Sequence, residues 1–317
     1  MTKRTATKAL LAASIAVLAA TAMPAGVAAK PTTAAYTHQS APTQFIEVNG
    51  NRLAYRRFGQ KHGLPLVFFQ HFVGNIDNWD PAITDGLARS REVILFDNAG
   101  VARSSGKVPT TIEAMAKTAI DLIAALGIER ADLFGFSTGS LVAQEVAIQN
   151  PGLVRRLIVV GSAPRGGVGM TSLTPEFQAM LAKPRAVPDE LLLDVFFTPS
   201  APSQAAGREF LTRLRARTVD RDIDPDASVG PAQATSLAAW GAARPNQYAY
   251  LDAITQPVLI VDGSKDLVFY TVNDFDLQQH LADAQLIIYP DSAHGPQYQY
   301  PQRFLQDAGA FLDRPDR

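Results

Sequence analysis

A serine between two glycines is the first feature of this sequence that suggests chemistry. Ser137 is the central residue of a Gly-Phe-Ser-Thr-Gly stretch at 135–139, which follows an apolar run at 131–134 and begins a predicted helix at 138–149. A G-x-S-x-G turn between a strand and a helix is strained and presents the serine hydroxyl, and the N–H groups that follow can stabilise an oxyanion. In this context we predict that Ser137 is a nucleophile and not part of an incidental Ser-Gly turn.

A serine hydroxyl needs a base to become a good nucleophile, and that base is usually a histidine. Of the five histidines, His294 lies in a turn-rich loop after the last predicted strand, which suits the chain order serine, acid, histidine. We therefore predict that His294 is the base. His71 adjoins the end of another predicted strand, and we expect it to line the site. We expect His38 in a leader segment, His62 in a polar turn and His280 on the surface of a helix.

The acid that orients the histidine is expected before His294, at the end of a strand. The stretch 258–266 reads Val-Leu-Ile-Val-Asp-Gly-Ser-Lys-Asp and offers two carboxylates. Asp262 falls within or at the edge of the predicted strand, whereas Asp266 follows the glycine turn on the loop. We predict that Asp266 is the orienting acid, with turn capping as the alternative role of either residue.

Short apolar runs alternate with helical stretches through most of the chain after a hairpin that turns at Asn49 and Gly50. Uniformly apolar strands are typical of a parallel sheet that is covered by helices on both faces. Between residues 161 and 258 about 90 residues contain no clear strand, so we predict a helical insertion there. The predicted buried strands are 66–69, 93–96, 133–135, 157–160, 258–261 and 286–289.

The composition narrows the class of protein. The chain has 317 residues, 29 basic and 30 acidic side chains and a hydrophobic fraction of 47%. These values indicate a folded globular chain, and the near-neutral charge argues against a nucleic-acid partner. There is no cysteine, which excludes disulfides and thiolate chemistry. The acidic run at 220–226 lacks the glycine and glutamate of a calcium loop, so we interpret it as solvated and expect no metal and no cofactor.

The first 29 residues have the three parts of a secretory signal. A positively charged start is followed by an uncharged stretch at 9–23 and by small residues up to a cleavage position after Ala29. The 15 residues of that stretch are fewer than the roughly 20 that span a bilayer, although an uncleaved anchor is the alternative. We predict a signal peptide at 1–29, a flexible leader at 30–42, and a secreted or periplasmic protein without stable membrane insertion.

From about residue 43 to residue 315, the chain resembles the α/β-hydrolase superfamily, in particular its serine-nucleophile branch of esterases and haloperoxidases. The resemblance rests on the turn around Ser137, the G-x-x-D loop at 263–266 and the His-Gly pair at 294–295. It implies that the serine, the acid and the histidine named above form a catalytic triad.

The resemblance also implies a fold. We expect a mostly parallel, twisted sheet flanked by helices in one domain at 43–317, with a helical cap at about 167–242 inserted after the sixth strand. Aromatic side chains are expected either to line an acyl pocket between cap and sheet or to form the core of the cap. The candidate pocket residues are His71, Phe136, Phe196 and Trp240.

The oxyanion hole is where this chain departs from the family pattern. Related chains usually have His-Gly-X after the third strand, where X donates its N–H, whereas this chain reads Gln-His-Phe-Val-Gly at 70–74. Counting back from Trp79 makes Phe72 the donor, and aligning the histidines would make it Val73. Thr138, which follows the nucleophile, is expected to be the second donor.

These expectations describe a secreted serine hydrolase that cleaves a small carboxylic ester or lactone through an acyl-enzyme. One alternative is a cofactor-free haloperoxidase or perhydrolase, in which peroxide takes the acyl group. A second is an aminopeptidase similar to proline iminopeptidases, in which the acidic run at 220–226 would hold the substrate amine. A third is an inactive ligand-binding relative, suggested by the missing glycine beside His71. The sequence does not indicate the natural substrate, the acyl length or the oligomeric state.

Overall fold

The computed structural model describes Met1 and residues 36–187 and 189–316. Apart from Met1, the predicted signal peptide lies outside the described residues. The strands are β1 Gln44–Val48, β2 Asn51–Gly59, β3 Leu66–Phe69, β4 Glu92–Phe96, β5 Ala131–Phe136, β6 Val154–Val160, β7 Val258–Gly263 and β8 Ala284–Tyr289. The α-helices are α1 Pro81–Ala88, α2 Ile112–Ala125, α3 Thr138–Gln149, α4 Pro175–Ala182, α5 Glu190–Phe196, α6 Ala201–Leu214, α7 Val229–Gly241, α8 Val272–His280, α9 Pro296–Gln299 and α10 Pro301–Leu312.

The strands form one eight-stranded sheet in the order β1-β2-β4-β3-β5-β6-β7-β8. Strand β2 runs antiparallel to both β1 and β4, and all other neighbours are parallel. Asn49 and Gly50 have φ values of 50° and 78°, as the tight hairpin turn requires. The mostly parallel sheet flanked by helices confirms the predicted fold class.

Helices cover both faces of this sheet. One buried apolar cluster joins the sheet to α2, α3 and α8, and a second joins its opposite face to α1 and α10. Parallel strands that are buried on both faces need mostly apolar side chains, which is why the central residues of β3 to β7 read as short apolar runs. The carboxyl ends of these strands therefore lie together at one edge, where loops can carry polar side chains.

Four helices, α4 to α7, occupy the chain between β6 and β7. Helix α6 begins at Ala201, where Ser200 caps it by accepting a hydrogen bond from the N–H of Ser203. Gly207 lies in the interior of this helix, where a Cβ would meet the side chains of Leu193 and Phe197. No helix within the described ranges has the length and apolarity to cross a membrane.

Part of the predicted leader contacts the rest of the domain. His38 is buried, its Nδ1 lies 3.0 Å from the hydroxyl of Thr84, and its N–H donates to Asp85. Arg217 donates to the carbonyl oxygens of His38 and Ala41. Because Arg217 is far away in the sequence, the local composition of small polar residues gives no sign of these contacts.

Candidate active site

Ser137 lies at the turn between β5 and α3, with φ 54° and ψ −125°. This is an unfavourable region for a residue with a Cβ, and it is kept because the surrounding backbone leaves no alternative. A Cβ on Gly139 would lie 1.9 Å from the carbonyl oxygen of Phe69, and one on Gly135 would lie 2.4 Å from that of Gly139. Glycine is therefore required on both sides of the serine if helix α3 is to start so close to the sheet.

His294 and Asp266 form a buried hydrogen bond. Nδ1 of His294 lies 2.6 Å from Oδ2 of Asp266. The other carboxylate oxygen of Asp266 accepts the N–H groups of Val268 and Phe269 at 2.7 and 3.3 Å. Because a carboxylate accepts hydrogen bonds, Nδ1 carries the proton and Nε2 of a neutral imidazole is left as an acceptor. Nε2 is buried and has no hydrogen-bond partner among the described residues.

The histidine and the serine belong to the same edge of the sheet. The ring of His294 packs against that of Phe136, the residue before Ser137, with centroids 5.2 Å apart. The N–H of Ser137 donates to the carbonyl of Val160 at 2.9 Å. The next residue, Gly161, lies against the imidazole so closely that a Cβ there would be 2.7 Å from Cε1 of His294.

Asp262, the other carboxylate weighed in the sequence, does not contact His294 in the structure. It is fully buried in β7, and its oxygens have no hydrogen-bond partner among the described residues. Burial, together with the nearby carboxylates of Asp266 and Asp274, raises the pKa of Asp262 well above its ordinary value. The pKa of Asp274 is also raised, mainly by burial. A raised pKa favours the protonated, neutral form of the acid, which cannot stabilise an imidazolium.

The backbone N–H groups of Phe72 and Thr138 have no acceptor among the described residues. Thr138 is the first residue of α3, where N–H groups have no intrahelical partner and the helix dipole favours negative charge. The N–H of Val73 is already used, because it donates to Oε1 of Gln233 at 2.6 Å. Of the two residues weighed for the first oxyanion donor, Phe72 is therefore the one with a free N–H.

Two of the candidate pocket residues join His71 in an aromatic cluster. The ring of His71 lies edge-on to Phe136 and Phe196, with centroids 5.6 and 5.3 Å apart. Phe196 ends α5, and its carbonyl accepts the N–H of Gly295, next to His294. The helices between β6 and β7 thus contact the histidine loop directly. Burial lowers the pKa of His71 to about 4, so its imidazole is neutral near pH 7.

Trp240, the remaining candidate pocket residue, lies elsewhere. Its indole is buried in α7, donates to the carbonyl of Ala163 at 3.3 Å, and packs edge-on against Tyr250. The guanidinium of Arg165 lies over the same indole. Trp240 therefore packs α7 against the segment after β6, and the expectation that it lines the pocket is corrected.

The acidic run at 220–226 is solvated at Asp224 and Asp226, as expected, but not throughout. Asp220 accepts a hydrogen bond from Arg103 at 2.6 Å, and Asp222 is buried 3.5 Å from the same guanidinium. Within the described residues, no group of three or more acidic or histidine side chains is arranged to hold a metal ion.

Gln233 is the residue at this site that sequence reasoning missed. It lies on α7 and lines a small cavity with His71, Thr138 and Gly139, between the oxyanion segment and the turn that carries Ser137. Apolar side chains from the ends of the neighbouring elements, including Phe96, complete the cavity wall. A glutamine in a helix of mixed composition gives no signal of a contact made 160 residues away.

Comparison with known proteins gives one family. The family model for the alpha/beta hydrolase fold matches residues 64–301. The solved alpha/beta hydrolase fold protein from Chitinophaga pinensis is 42% identical, with a TM-score of 0.82 over 88% of this chain and 100% of that one.

Two curated relatives carry names of enzymes. The 2-hydroxymuconate semialdehyde hydrolase of Pseudomonas sp. strain CF600 is 28% identical over 80% of this chain and 88% of its own length. The non-heme chloroperoxidase of Streptomyces lividans is 28% identical over 83% of this chain and 97% of its own.

Proposed function

This chain belongs to the alpha/beta hydrolase family, and we propose that it is a secreted serine hydrolase that cleaves small carboxylic esters or lactones through an acyl-enzyme on Ser137. The observation that carries this proposal is the buried hydrogen bond between His294 and Asp266. It leaves Nε2 of the histidine as a free base at the same sheet edge as a serine held in a strained turn. Hydrolysis is the activity that this combination supports best.

The proposed reaction has two steps of acyl transfer. Nε2 of His294 takes the proton of Ser137 as the serine oxygen bonds to the carbonyl carbon, and the imidazolium returns that proton to the leaving alkoxide when the C–O bond breaks. A water molecule then loses a proton to the same Nε2 and attacks the acyl-enzyme, which releases the acid and regenerates the serine. Asp266 holds the imidazole in the Nδ1–H tautomer and stabilises its positive charge in both steps.

The proposed oxyanion hole uses the N–H groups of Phe72 and Thr138. Negative charge develops on the carbonyl oxygen in both tetrahedral intermediates, and a fixed donor in a buried site is worth about 3–4 kcal/mol there. Both residues have N–H groups without an acceptor among the described residues. Both N–H groups are therefore free to donate to a substrate oxygen.

The aminopeptidase alternative is weakened by ion pairs at two of the four carboxylates of the acidic run. A carboxylate that holds a substrate ammonium must have its charge available, whereas Asp220 and Asp222 both lie against Arg103, which leaves the exposed Asp224 and Asp226 for that role. The perhydrolase alternative shares every residue of the mechanism above and differs only in whether peroxide or water takes the acyl group. It draws support from the chloroperoxidase relative.

The proposed activity is tested with a panel of nitrophenyl esters of increasing acyl length, together with simple lactones. We expect release of nitrophenol by the wild-type protein and a fall of at least about 10³-fold in kcat for Ser137→Ala. A parallel reaction with hydrogen peroxide and bromide in acetate separates perhydrolysis from hydrolysis. Equal rates for the wild-type protein and Ser137→Ala would contradict the proposal, and so would ligand stabilisation without turnover.

Export is proposed from the sequence of residues 1–29 alone. Expression of the full chain in a bacterium, followed by N-terminal sequencing of the protein from the periplasm or medium, is expected to give Lys30 as the first residue. Recovery of the whole chain from the cytosol with Met1 in place would contradict this part of the proposal.

A further inference from the structure

The peptide unit between Phe72 and Val73 is held from both sides. Its carbonyl oxygen, that of Phe72, lies 2.9 Å from Nδ1 of His71. Its N–H, that of Val73, donates to Oε1 of Gln233 at 2.6 Å. Because a carbonyl can only accept and an N–H can only donate, Nδ1 of His71 carries the proton and the amide oxygen of Gln233 faces the loop. Both ends of this peptide dipole are thus satisfied by side chains.

This peptide needs such restraint because of the conformation that follows it. Val73 has φ 55°, a left-handed conformation that is unfavourable for a β-branched residue. A glycine would adopt it freely, but this chain has valine here, and the nearest glycine is Gly74. Without the two hydrogen bonds, the loop would relax toward conformations with negative φ, and the orientation of the preceding N–H would change with it.

The N–H that precedes this peptide is the proposed oxyanion donor, that of Phe72. We infer that Gln233 is a positioning residue for the oxyanion hole, which holds the segment 71–73 in the one conformation that aims the N–H of Phe72 at the reacting carbonyl. This inference rests on the proposed function. It also makes α7, part of the insertion between β6 and β7, a component of the catalytic machinery through a contact to the loop after β3.

The surroundings of Gln233 suit this role. Its side chain is 7% exposed, and it lines the cavity that lies between the oxyanion segment and Thr138. The hydrogen bond between this amide and the strained loop is part-buried, and its loss would leave the N–H of Val73 without this partner. Helix α7 is itself anchored through Trp240 to the carbonyl of Ala163, so the restraint on the loop is connected to the main sheet.

The test compares Gln233→Met and Gln233→Asn with a matched control. Methionine keeps the length of the side chain and removes the acceptor, and asparagine keeps the amide but is one methylene too short to reach Val73. Gln256→Met is the control, because Gln256 is also 7% exposed and loses one hydrogen bond, from Nε2 to the carbonyl of Pro151. The measurements are kcat and KM on a nitrophenyl ester, the inhibition constant of phenylboronic acid, and Tm.

Both substitutions of Gln233 are expected to lower kcat by about 10- to 100-fold, somewhat less than the removal of a whole oxyanion donor, with KM within about threefold of wild type. The inhibition constant of the boronic acid, which mimics the tetrahedral intermediate, should rise by a similar factor. Gln256→Met should change Tm but leave kcat within about twofold.

Equal kcat values for the Gln233 variants and the control would overturn the inference, as would a rise in KM alone. A wild-type protein that neither hydrolyses esters nor binds the boronic acid would instead overturn the proposed function, and the inference with it. Measurements on the wild-type protein therefore distinguish a failure of the inference from a failure of the proposed function.

Discussion

Nδ1 of His294 and Oδ2 of Asp266 are 2.6 Å apart, and both side chains are almost completely buried. The carboxylate is fixed in turn by the N–H groups of Val268 and Phe269. A charged acceptor in a dry setting is stabilised by such donors, so the imidazole is held in one orientation and one tautomer. Asp262, only four residues earlier, makes no hydrogen bond to His294. Comparing the two carboxylates therefore tests directly which of them orients the histidine.

Asp266→Asn and Asp262→Asn form a matched pair. We expect Asp266→Asn to lower kcat by about 10³- to 10⁴-fold, because an amide favours the wrong histidine tautomer and does not stabilise the imidazolium. Asp262→Asn should stay within about threefold of wild type, because the raised pKa of Asp262 favours its neutral form, which asparagine matches in charge and shape. The measurement is kcat of both variants on one ester. A larger fall in kcat for Asp262→Asn than for Asp266→Asn would show that the orienting acid is the one in β7.

Gly139→Ala tests the close approach of α3 to the sheet. A methyl group there would lie 1.9 Å from the oxygen and 2.3 Å from the carbon of the Phe69 carbonyl, and neither is free to move because both belong to β3. We expect a loss of about 3 kcal/mol or more in the free energy of unfolding, measured with urea. Gly152→Ala is the control, since no atom lies within 4 Å of a Cβ there, and its effect should be within about 1 kcal/mol. Similar stabilities for the two variants would contradict the packing described here.

The stability of the fold is expected to fall between about pH 7 and about pH 5. Burial lowers the pKa of His38 to about 3, with Arg56 and Arg217 adding to the effect and Asp77 opposing it. The unfolded chain, in which the histidine titrates near its ordinary value of 6.5, binds the proton that the folded chain excludes, so stability decreases as pH falls below that value. His38 alone accounts for about 2 kcal/mol over this range, and His71 for a similar amount.

Urea unfolding of the wild-type protein and His38→Gln at the two pH values checks this expectation. The variant is less stable at neutral pH because it loses the packing against Phe58, but its stability should fall by about 2 kcal/mol less on acidification. An identical pH dependence in the two proteins would show that His38 is not the group that resists protonation.

The sequence predicts the strands, turns and loop positions of this protein better than the contacts between segments that are far apart in the chain. The apolar strands, the hairpin turn and the strained turn at Ser137 are local patterns, and each depends on a few neighbouring residues whose preferences agree. The position of Asp266 after the glycine turn is also local, and so is the place of His294 after the last strand. The ends of parallel strands lie at one edge of the sheet, so the order of these residues along the chain is sufficient to predict that they share that edge.

The contacts that could not be predicted are made by side chains from remote segments. Gln233 reaches Val73 across 160 residues, and Arg217 reaches His38 across 179. The sequence leaves Trp240 open between a pocket and a core, because large aromatic residues suit either, and its place in the structure depends on the carbonyl of Ala163, which only the fold supplies. Such side chains have no local pattern, because their role depends on the packing of the insertion against the sheet.

The measurement that tests the central claim most directly is the mass-spectrometric mapping of a fluorophosphonate adduct. Trypsin should release the segment 131–155, which contains both Ser137 and Ser140, so fragmentation of the labelled peptide is needed to assign the residue. We predict one adduct per chain, on Ser137, lost in Ser137→Ala and slowed in Asp266→Asn. An adduct on another residue, or no adduct on a folded protein that hydrolyses esters, would contradict the account.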